Sequence, residues 1–378
     1  MDFSFSEEQE AVRALAAQIF SDQATHERLL ELEGSGEWFD MDLWSQLSEA
    51  NLTSLVIPEA QGGGGMGMLE LCAMLEEQGR RVAPVPLFAT VVLGSLPIAA
   101  FGDDAQQDRW LRPVVDDGAV LSAALLELGG GDPARPRLTA RREDGGWRLD
   151  GQKECVPALH LARGVLVPAR CGDGVGVFIV DPSGPGVSVE LQVMTHGEPQ
   201  GRLVLDGAHV SDEALLGDPA SGAEIVAWML ERAQLGLAAL QLGVAQGALR
   251  DTAAYVSTRK QFDRPIATFQ GVALRAADAF IDVEAMRGVL EQAAWRLEEG
   301  LPATTDVAAA KWWASLAGHR VVHTAQHLHG GTGADIEYPI HRYFYWSKQN
   351  GLLFGGSGQH AAEIGEKLVA RSRAAASA

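Results

Sequence analysis

An apolar repeat in the second half of the chain constrains the fold more than any other feature. The repeat recurs every seven residues, with small residues between its members, at Leu235, Leu242, Leu249 and Val256. This spacing is typical of a long helix that packs along one face in a bundle. Pro265 follows, and because proline ends or kinks a helix, a turn must separate this helix from the next one.

Two more long helices are predicted after this turn. Apolar residues recur at helical spacing between residues 274 and 285 and indicate the start of the second helix. Residues 304–306 read Thr-Thr-Asp, side chains that cap helix N-termini, so we expect a third helix to run from there towards Gly330 and Gly331. Three long helices joined by short links predict an antiparallel bundle.

The N-terminal part of the chain also carries helical patterns. Ser6 and Gln9 form a capping-box pattern, and residues 40–51 predict a short amphipathic helix. The glycines of residues 61–68 predict a turn, since no Lys-Ser/Thr pair follows them as in a phosphate-binding loop. Residues 82–102 are uncharged, but prolines interrupt them, so we expect a buried helix with its entry loop and not a membrane span.

The middle of the chain changes to short β patterns. Alternating apolar residues flank Asp144-Gly145-Gly146, which is a hairpin signal. Further β runs stand between Gly, Asp and Pro at residues 165–167, 175–180, 187–191 and 203–205. The sequence therefore predicts an α+β chain with a helical domain at residues 1–118, a small β domain of barrel or sandwich type at 119–220, and a helical bundle at 221–378.

Composition narrows the possible functions. The net charge is −20 over 378 residues, which argues against a general nucleic-acid binder and against binding to anionic membranes. The three cysteines have no metal-ligand spacing, so we expect reduced thiols and a cytoplasmic protein. The N-terminus lacks the order of charges of a signal peptide.

Residues 259–270 contain side chains of the kinds that bind a dinucleotide. An arginine, an aromatic ring and an amide stand around the Pro265 turn as Arg259, Phe262 and Gln270. The guanidinium can bind a phosphate through two hydrogen bonds, the aromatic ring can stack on a base or flavin ring, and the amide can donate and accept hydrogen bonds. An ordinary basic loop between helices is the alternative on chemistry alone.

This stretch resembles the R-x-x-F-x-x-x-I-x-x-x-Q signature of the acyl-CoA dehydrogenase family. The helical, β, helical order agrees, and the His-Gly-Gly-Thr-Gly run around Gly330 and Gly331 resembles the family loop that meets FAD. The resemblance implies that Arg259, Phe262 and Gln270, together with the glycine pair, hold the FAD of a neighbouring subunit. His327 stands where the family usually has glutamine, and it would make that contact instead.

The catalytic base of the family is missing from its usual places. A carboxylate must remove the α-proton of the acyl-CoA thioester, and the family commonly carries it as a Glu in a turn that matches residues 352–358, which hold no acid. The alternative position on the preceding helix falls near Ala233, and Glu231 lies ~200° around that helix. The flavin-facing β loops are also altered, because residues 126–133 and 153–158 lack the family's Thr, Ser and Trp.

This combination resembles the β subunits of bacterial heterotetrameric steroid side-chain acyl-CoA dehydrogenases. The resemblance implies that a catalytic α subunit supplies the base and the flavin pocket, that the substrate is a bulky acyl-CoA, and that an electron-transfer flavoprotein takes the electrons. This chain would then hold no catalytic residue of its own.

Two alternatives stay open: a self-sufficient dehydrogenase with Glu231 as a displaced base, and a non-enzymatic assembly scaffold. His319, His323 and His327 share one helical face, and we expect them to pack at a bundle interface and not to bind a metal.

Overall fold

The computed structural model describes residues 6–218 and 220–377, and the chain divides into two compact units. The first unit holds the residues up to Ser35, Met68–Ala83 and the residues from Gln234 onwards. The second unit holds Gly36–Gly67 and Pro84–Ala233. These units group the helical, β and helical segments differently from the domain limits expected at residues 118 and 220, which remain predictions.

The described residues begin with the helices α1 (Glu7–Gln23), α2 (His26–Ser35), α3 (Met41–Glu49) and α4 (Met68–Arg81). The predicted capping box at α1 is confirmed, because Ser6 Oγ accepts from the Gln9 amide at 3.2 Å and Gln9 Oε1 accepts from the Ser6 amide at 2.9 Å. Asp40 caps α3 with its side chain, which accepts from the Leu43 amide. The amphipathic face predicted for α3 is buried.

The uncharged stretch at residues 82–102 is a buried helical segment, as predicted. It contains a π-helical run at Phe88–Ser95, all of it buried, and then α5 (Leu96–Phe101). Two short helices follow, α6 (Asp104–Trp110) and α7 (Arg112–Asp117). Within the described part of the chain, no helix has both the length and the apolar character needed to cross a membrane.

The middle segment forms one mixed sheet of eight strands, and every predicted β run lies in it. The strands are β1 (Val120–Ala123), β2 (Thr139–Glu143), β3 (Gly146–Pro157), β4 (Ala162–Cys171), β5 (Gly174–Val180), β6 (Val187–Val193), β7 (Pro199–Ser211) and β8 (Leu215–Leu216). Their order is β6-β7-β3-β2-β4-β5-β8, and β1 pairs in parallel with β4. The predicted hairpin joins β2 to β3 through the two-residue loop Asp144-Gly145.

Long helices make up the C-terminal part: α8 (Gly222–Thr258), α9 (Gln270–Glu298), α10 (Thr304–His329), α11 (Ile340–Leu352) and α12 (Ser357–Ser377). Within the first unit, α10 packs against α9, α11 and α12. Three of the four heptad positions of α8 are buried as predicted, with Leu235, Leu242 and Val256 between 0% and 4% exposed, while Leu249 is half-buried. Gly243 lets the α8 backbone touch the carbonyl of Glu76 on α4, where a Cβ atom has no room.

The predicted cap of α10 is wrong in one respect. The helix begins at Thr304, but its N-cap is Ala303 and no side chain caps it. The Asp306 carboxylate contacts α9 instead. Arg296 lies 3.1 Å from it, and the Gln292 side chain donates a hydrogen bond to it at 2.8 Å. A charge-assisted contact to a neighbouring helix therefore replaces the local cap.

Candidate functional site

A strained hairpin connects α8 to α9 at the predicted dinucleotide-contact stretch. Its strands are β9 (Lys260–Gln261) and β10 (Arg264–Pro265), joined by Phe262 and Asp263. Both loop residues have positive φ, +52° and +61°, the pattern of a type I′ turn that usually takes Asn-Gly. Left-handed backbone costs a residue with a side chain roughly 1–2 kcal/mol, yet Phe262 stands there and is 88% exposed.

Arg259 and Gln270 lie at the two ends of this hairpin. The Arg259 carbonyl accepts from the Ile266 amide at 2.9 Å, which closes the loop, and Gln270 begins α9. Among the described residues, neither side chain has an ion-pair or hydrogen-bond partner, and both are exposed. The hairpin therefore presents a free guanidinium and a free amide on either side of an exposed aromatic ring.

The Gly330 loop at the end of α10 is joined to the end of α8 by a stacked pair that the sequence alone does not indicate. The rings of Tyr255 and His329 lie 4.3 Å apart, nearly parallel, and Tyr255 Oη donates to the His329 carbonyl at 3.4 Å. Tyr255 is one helical turn before Arg259, and its carbonyl accepts from the Arg259 amide. The stack thus links the helix end that carries Arg259 to the Gly330 loop.

The glycine pair itself has open surroundings. Gly330 has φ +61°, so its backbone favours glycine. A Cβ atom on Gly331 would meet nothing within 4 Å, and nothing in the described part of this chain therefore requires a glycine there. His327 is also exposed and without a side-chain partner among the described residues. The uncovered backbone at Gly330 and Gly331 and the exposed His327 therefore leave room for a group from outside the chain to approach closely.

A turn built around a buried lysine follows α11, at the position where the resemblance leads us to expect a base. Leu353 and Phe354 are 8% and 6% exposed, and Phe354 has φ +54°. Lys311 of α10 is fully buried, and its Nζ donates to the carbonyls of Asn350 at 2.8 Å and Gly355 at 3.1 Å. Burial lowers the pKa of Lys311 to about 7. The turn is thus held by an amine and presents no carboxylate.

The acids nearest to this turn in sequence lie on α12 and are poorly suited to be a base. Glu363 lies 3.4 Å from His360 and 2.8 Å from Lys367, and these neighbours lower its pKa to about 2. A carboxylate with that pKa takes up a proton weakly at neutral pH. Glu366 is exposed on the same helix.

The displaced-base candidate, Glu231, is engaged with its neighbour on α8. Its carboxylate lies 3.3 Å from Arg232, which stacks on the Trp228 ring at 3.7 Å. Burial lowers the pKa of Arg232 to about 10, so the guanidinium stays charged at neutral pH. Ala233, the other position where the resemblance leads us to expect a base, is fully buried.

The altered β loops of the second unit are closed by their own ion pairs. Glu127 accepts from Lys153 Nζ at 2.8 Å and from the amides of Arg137 and Leu138. Burial opposes ionisation of Glu127, but these hydrogen bonds outweigh it and lower its pKa. On β3, Glu154 accepts from Arg202 at 2.7 Å. The two acids of these loops are therefore paired with cations within the chain.

Two of the three histidines on one face of α10 pack beside α11. His319 and His323 approach with their Nε2 atoms 2.9 Å apart, and Phe344 of α11 packs beside His323 with ring centroids 4.8 Å apart. His327 has no described contact with this pair. Among the residues that the structure describes, no group of three or more His, Cys, Asp or Glu side chains is placed to hold a metal ion.

Comparison with known proteins identifies the class. The family models for the acyl-CoA dehydrogenase N-terminal and C-terminal domains match residues 6–117 and 220–369. The chain belongs to the acyl-CoA dehydrogenase family, which groups oxidoreductases that act on CH–CH bonds.

Several relatives match over nearly their whole length. Acyl-CoA dehydrogenase FadE27 of Mycobacterium tuberculosis is 38% identical, over 98% of this chain and 99% of its own. A solved variant of the Tcur3481-Tcur3483 steroid ACAD is 44% identical with a TM-score of 0.90, over 97% of this chain and 99% of that one. A chain of the ChsE4-ChsE5 complex from Mycobacterium tuberculosis is 39% identical with a TM-score of 0.92. The match covers 98% of this chain and 99% of that chain.

Proposed function

We propose that this chain is the non-catalytic subunit of a hetero-oligomeric, FAD-dependent acyl-CoA dehydrogenase. A partner chain of the same family carries the base, the flavin pocket and the acyl site, and this chain lends contacts to the partner's FAD. The observation that carries the proposal is the turn after α11. Phe354 is buried there in left-handed backbone, and the surrounding carbonyls converge on Lys311 where the family presents a carboxylate.

The free groups of the first unit fit an FAD molecule that approaches from outside. Arg259 offers an unpaired guanidinium for a pyrophosphate, and Phe262 offers an exposed ring face. The open surroundings of Gly331 leave room for a phosphate oxygen beside the backbone. Gln270 and His327 add hydrogen-bonding groups. These residues would hold and orient the flavin, and a bound flavin would supply the acceptor for the hydride that leaves the β-carbon of the acyl chain.

The relatives support the division into two subunits and the substrate class. The ChsE4-ChsE5 structure is a complex of two named components, and the Tcur3481-Tcur3483 protein is a steroid ACAD. By this likeness the substrate is a steroid-derived or similarly bulky acyl-CoA, and its α,β-desaturation passes electrons to an electron-transfer flavoprotein. The partner's base removes the α-proton, because this chain's Glu363 and Glu231 are already paired with cations.

Removing the guanidinium of Arg259 tests the proposal in the co-expressed complex. A charge-assisted hydrogen bond to phosphate contributes about 1.5–3 kcal/mol, so Arg259→Ala should weaken flavin retention roughly 10- to 100-fold. Arg259→Lys should restore part of it, and Arg163→Ala, at an exposed arginine on β4, should change nothing. Flavin absorbance per complex after gel filtration is the readout. Unchanged flavin content in Arg259→Ala would favour the scaffold alternative.

A substitution at Phe262 should separate stability from binding. Phe262→Gly removes a side chain from left-handed backbone, so the isolated chain should become more stable by up to about 1 kcal/mol in urea. Flavin retention by the complex should fall in the same variant, because the exposed ring is lost. Asp263→Gly, which relieves the same strain beside it, should stabilise the chain and leave flavin retention unchanged.

Glu231→Gln distinguishes the self-sufficient alternative. The structure offers no observation in its favour, because the Glu231 carboxylate is paired with Arg232. We expect the acyl-CoA oxidation rate of the complex to stay within about twofold of the wild type, since substitutions away from a site usually have small effects. A loss of the chemical step by several orders of magnitude would identify Glu231 as the base.

A further inference from the structure

Strand β6 forms an open edge of the sheet in the second unit. It is the last strand at its end of the sheet, and among the described residues it pairs only with β7. Five of its seven residues are exposed. One side of its backbone therefore has no neighbouring strand within the described part of the chain.

The outer side of β6 carries the peptide groups of every second residue. The Gly186 carbonyl accepts from the Asp206 amide of β7 at 2.9 Å, and the Val187 amide belongs to the same peptide. A trans peptide points its carbonyl and its N–H in opposite directions, so the Val187 amide points away from β7. This direction alternates along an antiparallel strand. Three further residues therefore point their amides and carbonyls away from β7, namely Val189, Leu191 and Val193.

The side chains of these three residues are apolar and poorly covered. Their exposure rises along the strand, from 37% at Val189 to 57% at Leu191 and 61% at Val193. Val189 stands opposite Leu203 of the β-sheet core, but Leu191 stands opposite Gly201, which offers no side chain to cover it. Edge strands that stay unpaired usually carry lysine, proline or a bulge, and the β6 sequence has no lysine or proline. The strand is therefore a template for pairing with another strand.

The one charged side chain of β6 is paired within the chain. Glu190 accepts from Arg202 of β7 at 2.9 Å, on the face of the sheet opposite to the three apolar side chains. The net charge of −20 therefore places no unpaired carboxylate on this edge. A second strand can approach without an unpaired β6 carboxylate facing it.

The β6 sequence is complementary to itself about a twofold axis. When Leu191 lies opposite its own copy in an antiparallel pair, Val189 faces Val193. In the same register Glu190 faces Gln192, whose amide can donate to a carboxylate. When Glu190 lies opposite its own copy instead, two carboxylates face each other, which destabilises a strand pair. The register centred on Leu191 is therefore favoured.

We propose that β6 is the surface through which two copies of this chain pair, as adjacent antiparallel strands with Leu191 on the twofold axis. The contact joins two sheets into one and covers the three apolar side chains. It goes beyond the proposed function, because it needs neither a flavin nor a catalytic partner, and it would bring two copies of this chain into one hetero-oligomer. Two short strands bury less surface than a standard interface, so the dimer is reversible and depends on concentration.

Opposite charges at Leu191 test the twofold pairing. Leu191→Lys and Leu191→Glu, each alone, set like charges against each other and should raise the dissociation constant of the chain dimer about tenfold in sedimentation velocity. An equal mixture of the two variants sets a lysine against a glutamate and should restore association to the wild-type level or above. Leu15→Lys, at an exposed leucine of α1, is the matched control and should leave association unchanged.

A proline separates the outer side of the strand from the inner side. Leu191→Pro removes an N–H that points away from β7, a position where edge strands accept proline. It should abolish pairing and leave the circular dichroism and the urea midpoint of the chain unchanged. Glu190→Pro removes an N–H that points towards β7, so it should lower the urea midpoint of the chain.

The outcomes decide the inference separately from the proposed function. A wild-type dissociation constant in both Leu191→Lys and Leu191→Pro overturns pairing through β6. Charge variants that lose association but do not regain it when mixed show that β6 meets a different surface, and the inference is then wrong. A wild-type chain that stays monomeric at the highest measurable concentration also overturns it. The flavin content of the Arg259→Ala complex still decides the proposed function by itself.

Discussion

Replacing Lys311 with glutamate is expected to abolish folding of this chain. The side chain is fully buried, and its amine donates to the carbonyls of Asn350 and Gly355 and lies 3.2 Å from Ser315 Oγ. A carboxylate at this point would face carbonyl oxygens with no cation beside it. An unpaired buried charge costs more than about 4 kcal/mol, a large part of the roughly 5–15 kcal/mol that stabilises a domain. Soluble yield and circular dichroism are the measurements.

Lys311→Met provides the graded version of this test. It keeps the aliphatic stem and removes the amine, leaving carbonyl groups without a donor, and we expect a loss of about 1–3 kcal/mol in urea unfolding. Lys348→Met, at an exposed lysine of α11, is the control and should stay within about 0.5 kcal/mol. Equal stability of the two variants would show that the amine does not hold the turn.

The same lysine predicts a pH dependence. Burial lowers the pKa of Lys311 to about 7 from an ordinary value near 10.5. Between these two pH values the unfolded chain binds more protons than the folded chain, so folding stability rises with pH, by up to about 1.4 kcal/mol per unit. The stability of the wild type relative to Lys311→Met should therefore rise from pH 7 to pH 10 and be flat below pH 6. A constant difference over that range would contradict the lowered pKa.

Much of the fold follows from local patterns. The heptad face of α8, the hairpin at Asp144-Gly145 and the capping box at Ser6 are each fixed by residues close together in sequence. Short-range geometry decides such elements, so the sequence predicts them well. The predicted cap of α10 is wrong because Asp306 is drawn to Arg296 on another helix, a contact that sequence spacing does not reveal.

The sequence predicts the candidate site as a set of residues, which stays a prediction, and it does not predict the geometry around them. Arg259, Phe262 and Gln270 stand in a recognisable motif, and the structure leaves their side chains exposed. The stack of Tyr255 on His329 joins two helices and depends on tertiary packing. The role of Lys311 was hidden for the same reason, since its carbonyl partners lie about forty residues away in sequence. A lysine that follows three alanines in a helix was the available signal.

The turn after α11 could not gain a carboxylate by a simple substitution. Because the turn after α11 is filled by Phe354 and held by Lys311, a single substitution to glutamate at Phe354 would bury an acid beside main-chain carbonyls. This turn is therefore built for packing, and under the proposed function the exposed groups near Arg259 are the ones that would meet a partner's cofactor.

Flavin content and acyl-CoA oxidation, measured on the purified chain alone and on the co-expressed complex, test the central claim most directly. We predict that the chain alone carries little FAD and shows no turnover, while the complex carries flavin in proportion to the catalytic partner and oxidises a bulky acyl-CoA. A homo-oligomer of this chain that is fully loaded with FAD and turns over acyl-CoA without a partner would contradict the account.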